Sequence, residues 1–271
     1  MNEGHLLLHL VRDGGGRTRL ARRRQCYPLT TTAVLPLAEE DTALIYVQNA
    51  AGSVFGGDRL SVDIRLDEGA ELCLSTPAAT RLQGDVLSVQ TTRISVARNG
   101  FLESVPDMVI PHAGACHHQI TRLAMERDAS AILLDSMAPG RVARGERHDY
   151  ALVLLRLVVM CEGRDILIDG ARFCPAEADP ALAGALGEEG YVGALFALSA
   201  QVDSVALAAD IAASLDGTQG AFGGAAPLAS GYGVVARFLA ADAPALRAAS
   251  HRAWDAARRR MRNRPAPVLR K

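Results

Sequence analysis

A mainly β scaffold of stacked sheets, β-helix-like, with two or so α-helices toward its C-terminus, is the fold class this 271-residue sequence predicts. Three observations carry it. Apolar and polar residues alternate with period two over much of the chain, strand-turn-strand segments recur at nearly even spacing, and helix signals are confined to the C-terminal part.

The alternation runs from about residue 41 to 175. In LSVDIRL, Leu60, Val62, Ile64 and Leu66 share one face, with Ser61, Asp63 and Arg65 on the other. Turn chemistry then appears in IRLDEGAELCLST, ISVARNGFLESVPD, LAMERDASAILLDS and VVMCEGRDILIDG. Their centres, Gly69, Gly100, Ala129 and Gly163, lie roughly 30 residues apart, which fits stacked supersecondary units rather than unrelated hairpins, the alternative being that any β-rich chain shows turns at such intervals. Shortly after each centre stands a small polar or acidic residue: Thr76, Asp107, Asp135 and Asp169. A carboxylate after an apolar run such as ILL or ILI is costly unless hydrogen-bonded or hydrated. Stacking would gather several of these side chains into a polar seam; the alternative is that each merely ends its strand.

Two helices follow. VALAADIAASLDG is alanine-rich and stops at Gly217, and a second helix starts at Asp242 and Pro244 with Leu246, Ala249, Ala253, Trp254, Ala257 and Met261 on its apolar face. Arg258, Arg259, Arg260 and Arg262 fall at its C-terminal end, where cations complement the helix dipole. Between the helices GTQGAFGGAAPLASGYG reads as a flexible linker, GVVARFL as a returning strand, and the terminal PAPVLRK as extended chain. No break bounds an independent unit, so residues 1–271 form one domain, β-rich to about 175 and mixed from about 176.

Composition excludes several classes. The 29 basic and 30 acidic residues leave a net charge of -1, which gives no global attraction to nucleic acid or anionic membrane. Aromatics at 4% offer no stacking platform. No apolar run reaches membrane-span length and LLLHLV is too short for a signal peptide, so the expected location is cytoplasmic. The 5 cysteines lack CxxC spacing, and most are expected to be buried thiols.

AGSVFGGDRL, Ala51 to Leu60, looks like a phosphate loop, but strict alternation follows its glycines and no helix N-terminus is available. Gly56 and Gly57 instead suit positive φ or close backbone approach in a turn. PHAGACHHQ holds His112, Cys116, His117 and His118, donors suited to nickel, copper or zinc. On a strand His117 and His118 would point to opposite faces, so ordinary edge or surface residues are the other reading. No nucleophile elbow is present, while a stacked-β hydrolase with Asp135 and Asp169 as paired carboxylates stays open.

Five segments taken together, NAAGSVFGGDRL, LDEGAELCLSTPAATR, VPDMVIPHAGA, LLDSMAPGRVARGE and VVARFLAADAPALRAASHRAWDAARRR, resemble the urease accessory protein UreD (UreH) family in order and spacing, over nearly the whole chain. The resemblance implies a non-enzymatic maturation chaperone that aids nickel insertion into urease apoprotein. It further implies a complex with a helical UreF-like protein, a UreG-like GTPase recruited through it, and no tightly bound cofactor, only transient nickel(II). By position, Asp58, Thr80, Asp135 and Asp169 correspond to residues of an internal nickel passage, and Glu146 to an acid that is either structural or passage-lining. Departures include AAGS before the first turn and STPAATRLQ, which lacks a lysine and a tyrosine common there. A structural interaction module without a metal role is the remaining alternative.

Overall fold

The computed structural model describes residues 1–37, 41–182, 185–187 and 190–269. The chain opens with β1 (Glu3–Arg12) and β2 (Thr18–Cys26), then the short β3 (Leu29–Thr31) and β4 (Leu35–Pro36). A winding path follows. β5 (Ala43–Asn49) and β6 (Val54–Phe55) begin it, and β7 (Arg59–Leu66), β8 (Glu71–Ser75) and β9 (Thr80–Gln83) make a full rung. β10 (Ser88–Val96), β11 (Phe101–Ser104) and β12 (Val109–Pro111) make the next, and β13 (Cys116–Met125) and β14 (Ser130–Met137) start another. The remainder is β15 (Leu152–Cys161), β16 (Arg164–Phe173), β17 (Tyr191–Ser199), α1 (Ser204–Asp216), β18 (Ala221–Pro227), β19 (Gly233–Ala240) and α2 (Ala243–Arg262).

Equivalent strands of successive rungs pair in parallel: β7 with β10 and β10 with β13 on one face, β8 with β11 and β11 with β14 on another, β6 with β9 and β9 with β12 on a short third. The corners stack as well. Phe101 N donates to Ala70 O and Ser130 N to Gly100 O, each at 3.0 Å, so the polar backbone of every corner is satisfied by its neighbour.

The first face belongs to a seven-stranded sheet, ordered β16-β15-β13-β10-β7-β1-β2, and the second to a larger sheet that continues through β17, β19 and β18. Period two makes each sheet two-sided. Leu6, Leu8, Val62, Ile64, Leu72, Leu102 and Leu133 fill the space between the sheets. On the opposite side of the second sheet Tyr46, Phe101, Ile132, Leu134 and Phe238 pack against Leu207, Ile211, Leu246 and Trp254 of the helices. The result is sheet, sheet, helices, with the middle layer covered on both faces.

Both helices carry their expected caps. Asp203 accepts from Val205 N and Ala206 N, Asp242 accepts from Ala245 N at 2.7 Å, and Pro244 lies in the first turn of α2. No helix among the described residues is long and apolar enough to cross a membrane.

Four sequence expectations need correction. The first three strand-turn-strand units are stacked corners, but the fourth is an antiparallel hairpin, β15 against β16, within the first sheet. Glu162 and Gly163 both take positive φ, 48° and 77°, and two successive left-handed residues fold the chain straight back.

The glycine-rich stretch around 220 is not a linker; it contains edge strand β18, paired along its length with β19. Its glycine makes room: a Cβ at Gly223 would lie 2.6 Å from Phe238 Cβ, and one at Gly193 on the other neighbouring strand 2.1 Å from the Phe238 ring. The tail is extended as read, and its last two residues lie outside the described set.

The arginines of α2 do more than face a dipole. Arg258 is buried and its Nε donates to Glu103 Oε1 at 2.9 Å, while Arg259, Arg260 and Arg262 pair with Asp255, Asp210 and Glu71. Of the cysteines, only Cys73 and Cys161 are buried; Cys26 is exposed and Cys116 and Cys174 are half-buried.

Candidate functional site

Inward positions of the first sheet change character along β10 and β13. Ile94 and Val96, like Leu123 and Met125, are aliphatic, but the inward residues before them are Ser88, Gln90 and Thr92 on one strand and His117, Gln119 and Thr121 on the next. Parallel register sets these in pairs, Ser88 beside His117, Gln90 beside Gln119 and Thr92 beside Thr121. The flanking strands place Leu60 and Leu155, Val62 and Leu157 at the same levels. A polar patch therefore sits inside an apolar solenoid.

Across from it the second sheet supplies Ser104, Thr76, Thr80, Asp107 and Asp135, and the two walls enclose a cavity of about 120 Å³. That is room for several waters at roughly 30 Å³ each. Asp135 and Ser136 also line a wider recess of about 600 Å³ that reaches Asp169, Arg172 and Arg237. Asp107 and Ser136 also line a recess of about 230 Å³ under α2, with Arg247, Ser250 and Trp254.

Asp135 accepts one hydrogen bond, from Gln119 Nε2 at 3.2 Å. Burial pushes its carboxyl up to about 6, Gln119 opposes that shift and the charge of Asp169 adds to it. His117 shares a 2.9 Å hydrogen bond between its Nδ1 and Ser88 Oγ. Burial, assisted by His118, holds this imidazole down at about 4, so it is neutral at neutral pH. Asp107 Oδ1 accepts from its own loop at Met108 N, 2.9 Å, and from Arg247 Nε at 3.4 Å. Thr76 Oγ1 accepts from Asp107 N at 2.9 Å and fixes that loop. Asp169 is paired with Arg237.

Thr76, Thr80, Asp107 and Asp135 thus share one cavity, and Asp169 joins Asp135 in the adjoining recess. Asp58 stands apart. It is fully buried, and its carboxylate accepts from Asn2 N at 2.6 Å, Asn2 Nδ2 at 3.0 Å and Phe55 N at 2.9 Å. Those bonds tie the N-terminus to the glycine turn. There Gly57 has φ +83°, and a Cβ on Gly56 would lie 3.1 Å from Val86 O.

Glu146 is likewise occupied, bound by the Arg141 guanidinium and by Ala113 N at 3.3 Å, and Arg141 keeps its carboxyl below the usual range. His112, Cys116, His117 and His118 do not converge. His117 faces the cavity, His118 lies on the opposite face of β13, and His112 sits near Arg141 and Glu146. Among the described residues no three His, Cys, Asp or Glu side chains are placed to hold one metal ion.

Sequence reasoning missed Gln90, Thr92, Ser104, Gln119 and Thr121, which form much of the cavity wall. The signal was present: in SVQTTRISV and CHHQITRLAM, polar residues stand in phase with later aliphatic ones.

The fold is a triangular β-solenoid that holds a polar cavity and is braced by a helical layer. Comparison with known proteins gives its family: residues 2–271 match the one described as UreD urease accessory protein, and the chain belongs to it. It is 34% identical over 239 residues to urease accessory protein UreD of Haloarcula marismortui, covering 87% of this chain and 79% of the relative. With urease accessory protein UreD 2 of Streptomyces griseus subsp. griseus it shares 30% identity over 265 residues, 95% and 90% of the two chains. With UreD of Actinomyces naeslundii it shares 32% over 251 residues, 90% of each.

Proposed function

We propose that this protein acts in urease maturation by passing nickel(II) through its polar interior toward urease apoprotein, without catalysing a reaction itself. The observation that carries this reading is shared lining: Asp135 and Ser136 border both the inner cavity and the recess at Asp169, while Asp107 and Ser136 border both the inner cavity and the recess under α2. Carboxylates spaced along such a route, with amide and hydroxyl oxygens between them, offer a dication partial replacement for its water. Spread over three compartments, they bind it at no single point strongly enough to trap it.

Docking of a UreF-like helical partner is supported by Phe222, 79% exposed on the rim of the recess at Asp169. A UreG-like GTPase would join through that partner. The paired-aspartate hydrolase is disfavoured because Arg237 occupies Asp169, leaving no free pair of carboxylates.

The test is Asp135→Ala combined with Asp169→Ala, scored by urease activation in cells at limiting nickel with assembly of the complex verified. Activation is expected to fall. Full activation with an intact complex overturns the passage role, and with it the distinction from a structural module that handles no metal.

A further inference from the structure

Each end of this set of recesses carries the same device. At one, Arg237 of β19 reaches from the second sheet to Asp169 of β16, the edge strand of the first. At the other, Arg247 in the first half of α2 reaches to Asp107, whose loop follows β11. Both arginine side chains are more than half exposed, at 53% and 57%, while their aspartates are largely covered, at 19% and 10%. The cation is therefore on the solvent side of each pair and the anion on the cavity side.

We propose that Arg237 and Arg247 are latches that keep the two mouths closed to divalent cations in the free protein, and that a partner opens a mouth by offering its own carboxylate to the arginine. The proposal rests on the passage reading above. Its physics is simple. A guanidinium a few ångströms from a dication repels it and also occupies the carboxylate the ion would use. An exposed arginine gives up a partly solvated pair at small cost, so a competing carboxylate on a docked surface is enough to draw it away. Arg237 further links the two sheets, joining β19 of one to β16 of the other.

The experiment is equilibrium dialysis of the purified full chain against nickel(II) at neutral pH, comparing parent, Arg237→Gln, Arg247→Gln and the pair, with thermal melts to verify folding. Each single variant is expected to bind nickel about tenfold more tightly than the parent, since removing one positive charge near a dication changes affinity on that order. Adding Asp169→Asn to Arg237→Gln, or Asp107→Asn to Arg247→Gln, is expected to abolish the gain, and Arg237→Lys and Arg247→Lys to retain parental affinity. Parental affinity in both glutamine variants overturns the latch. That result leaves the passage intact if Asp135→Ala with Asp169→Ala still impairs activation in cells, whereas full activation by that variant overturns the passage whatever the dialysis shows.

Discussion

Glu103 and Arg258 lie 155 residues apart and meet in a buried ion pair, with Arg258 Nε 2.9 Å from one carboxylate oxygen and 3.1 Å from the other. Trp254 Nε1 donates to the same carboxylate at 2.6 Å, and Arg258 also donates to Pro265 O at 2.6 Å. This one cluster fastens α2 and the start of the tail to the middle sheet. Removing a single partner strands the other charge. Arg258→Met is expected to lower unfolding free energy by about 3–5 kcal/mol, against about 0.5 kcal/mol or less for Arg259→Ala, whose pair with Asp255 is solvated. Urea denaturation of both variants checks the contrast.

Two cavity residues give stability opposite pH slopes. The carboxyl of Asp135, raised to about 6, makes a contribution fully present below its unfolded value of 3.8 and lost as pH rises through 6. The imidazole of His117, lowered to about 4, makes one present above 6.5 and lost as pH falls through 4. In the parent they offset between pH 4 and 6. Asp135→Asn, keeping only the histidine, should gain stability relative to the parent as pH rises through that window, by on the order of 2 kcal/mol. His117→Gln should lose it. Denaturant midpoints at half-unit pH intervals read both, and equal slopes in the two variants would refute the assignment.

Asp58 is expected to report on folding rather than on metal. Asp58→Ala leaves Asn2 N, Asn2 Nδ2 and Phe55 N without their acceptor and should cost about 3 kcal/mol. Urease activation in cells should then fall in proportion to the amount of folded protein, as measured by quantitative blotting of the soluble fraction. Activation lost at undiminished protein level would assign this carboxylate a direct role.

Gly193→Ala places a methyl group against the Phe238 ring, an overpacking expected to cost about 1–3 kcal/mol. Phe238→Leu in the same chain should recover part of that loss. A double-mutant cycle from thermal melts measures the coupling, and strict additivity would show that β17 has moved aside instead.

Much of the architecture is legible in the sequence. LSVDIRL alternates because one side packs inward, and three of the corners recur because each satisfies the backbone of the next. Asp203 and Asp242 announce their helices through local hydrogen bonds, which need no tertiary context. What escaped was set by geometry between distant segments. CEGRD differs from the other turns only in having exactly two residues between Cys161 and its register partner Arg164, and that spacing makes a hairpin. Gly193 and Gly223 look like flexibility until Phe238, on the strand between them, is seen to need their space. Thr76, Asp107 and Asp135 could be anticipated as neighbours because they recur in phase with the corners. Asp58 could not be assigned, since the residue that claims its carboxylate, Asn2, lies 56 positions away.

The antiparallel strands at the two ends of the first sheet, β2 and β16, have a bearing on how the molecule behaves in a crowded cell. Parallel rungs alone would leave a hydrogen-bonding template at each end, able to recruit a further copy and polymerise. β16 reverses direction and carries Arg164, Asp165 and Arg172, and β2 presents Arg22, Arg23 and Arg24 to solvent. The run of exposed arginines on β2 makes that border self-avoiding: two β2 edges that approach each other bring like charges together and do not pair.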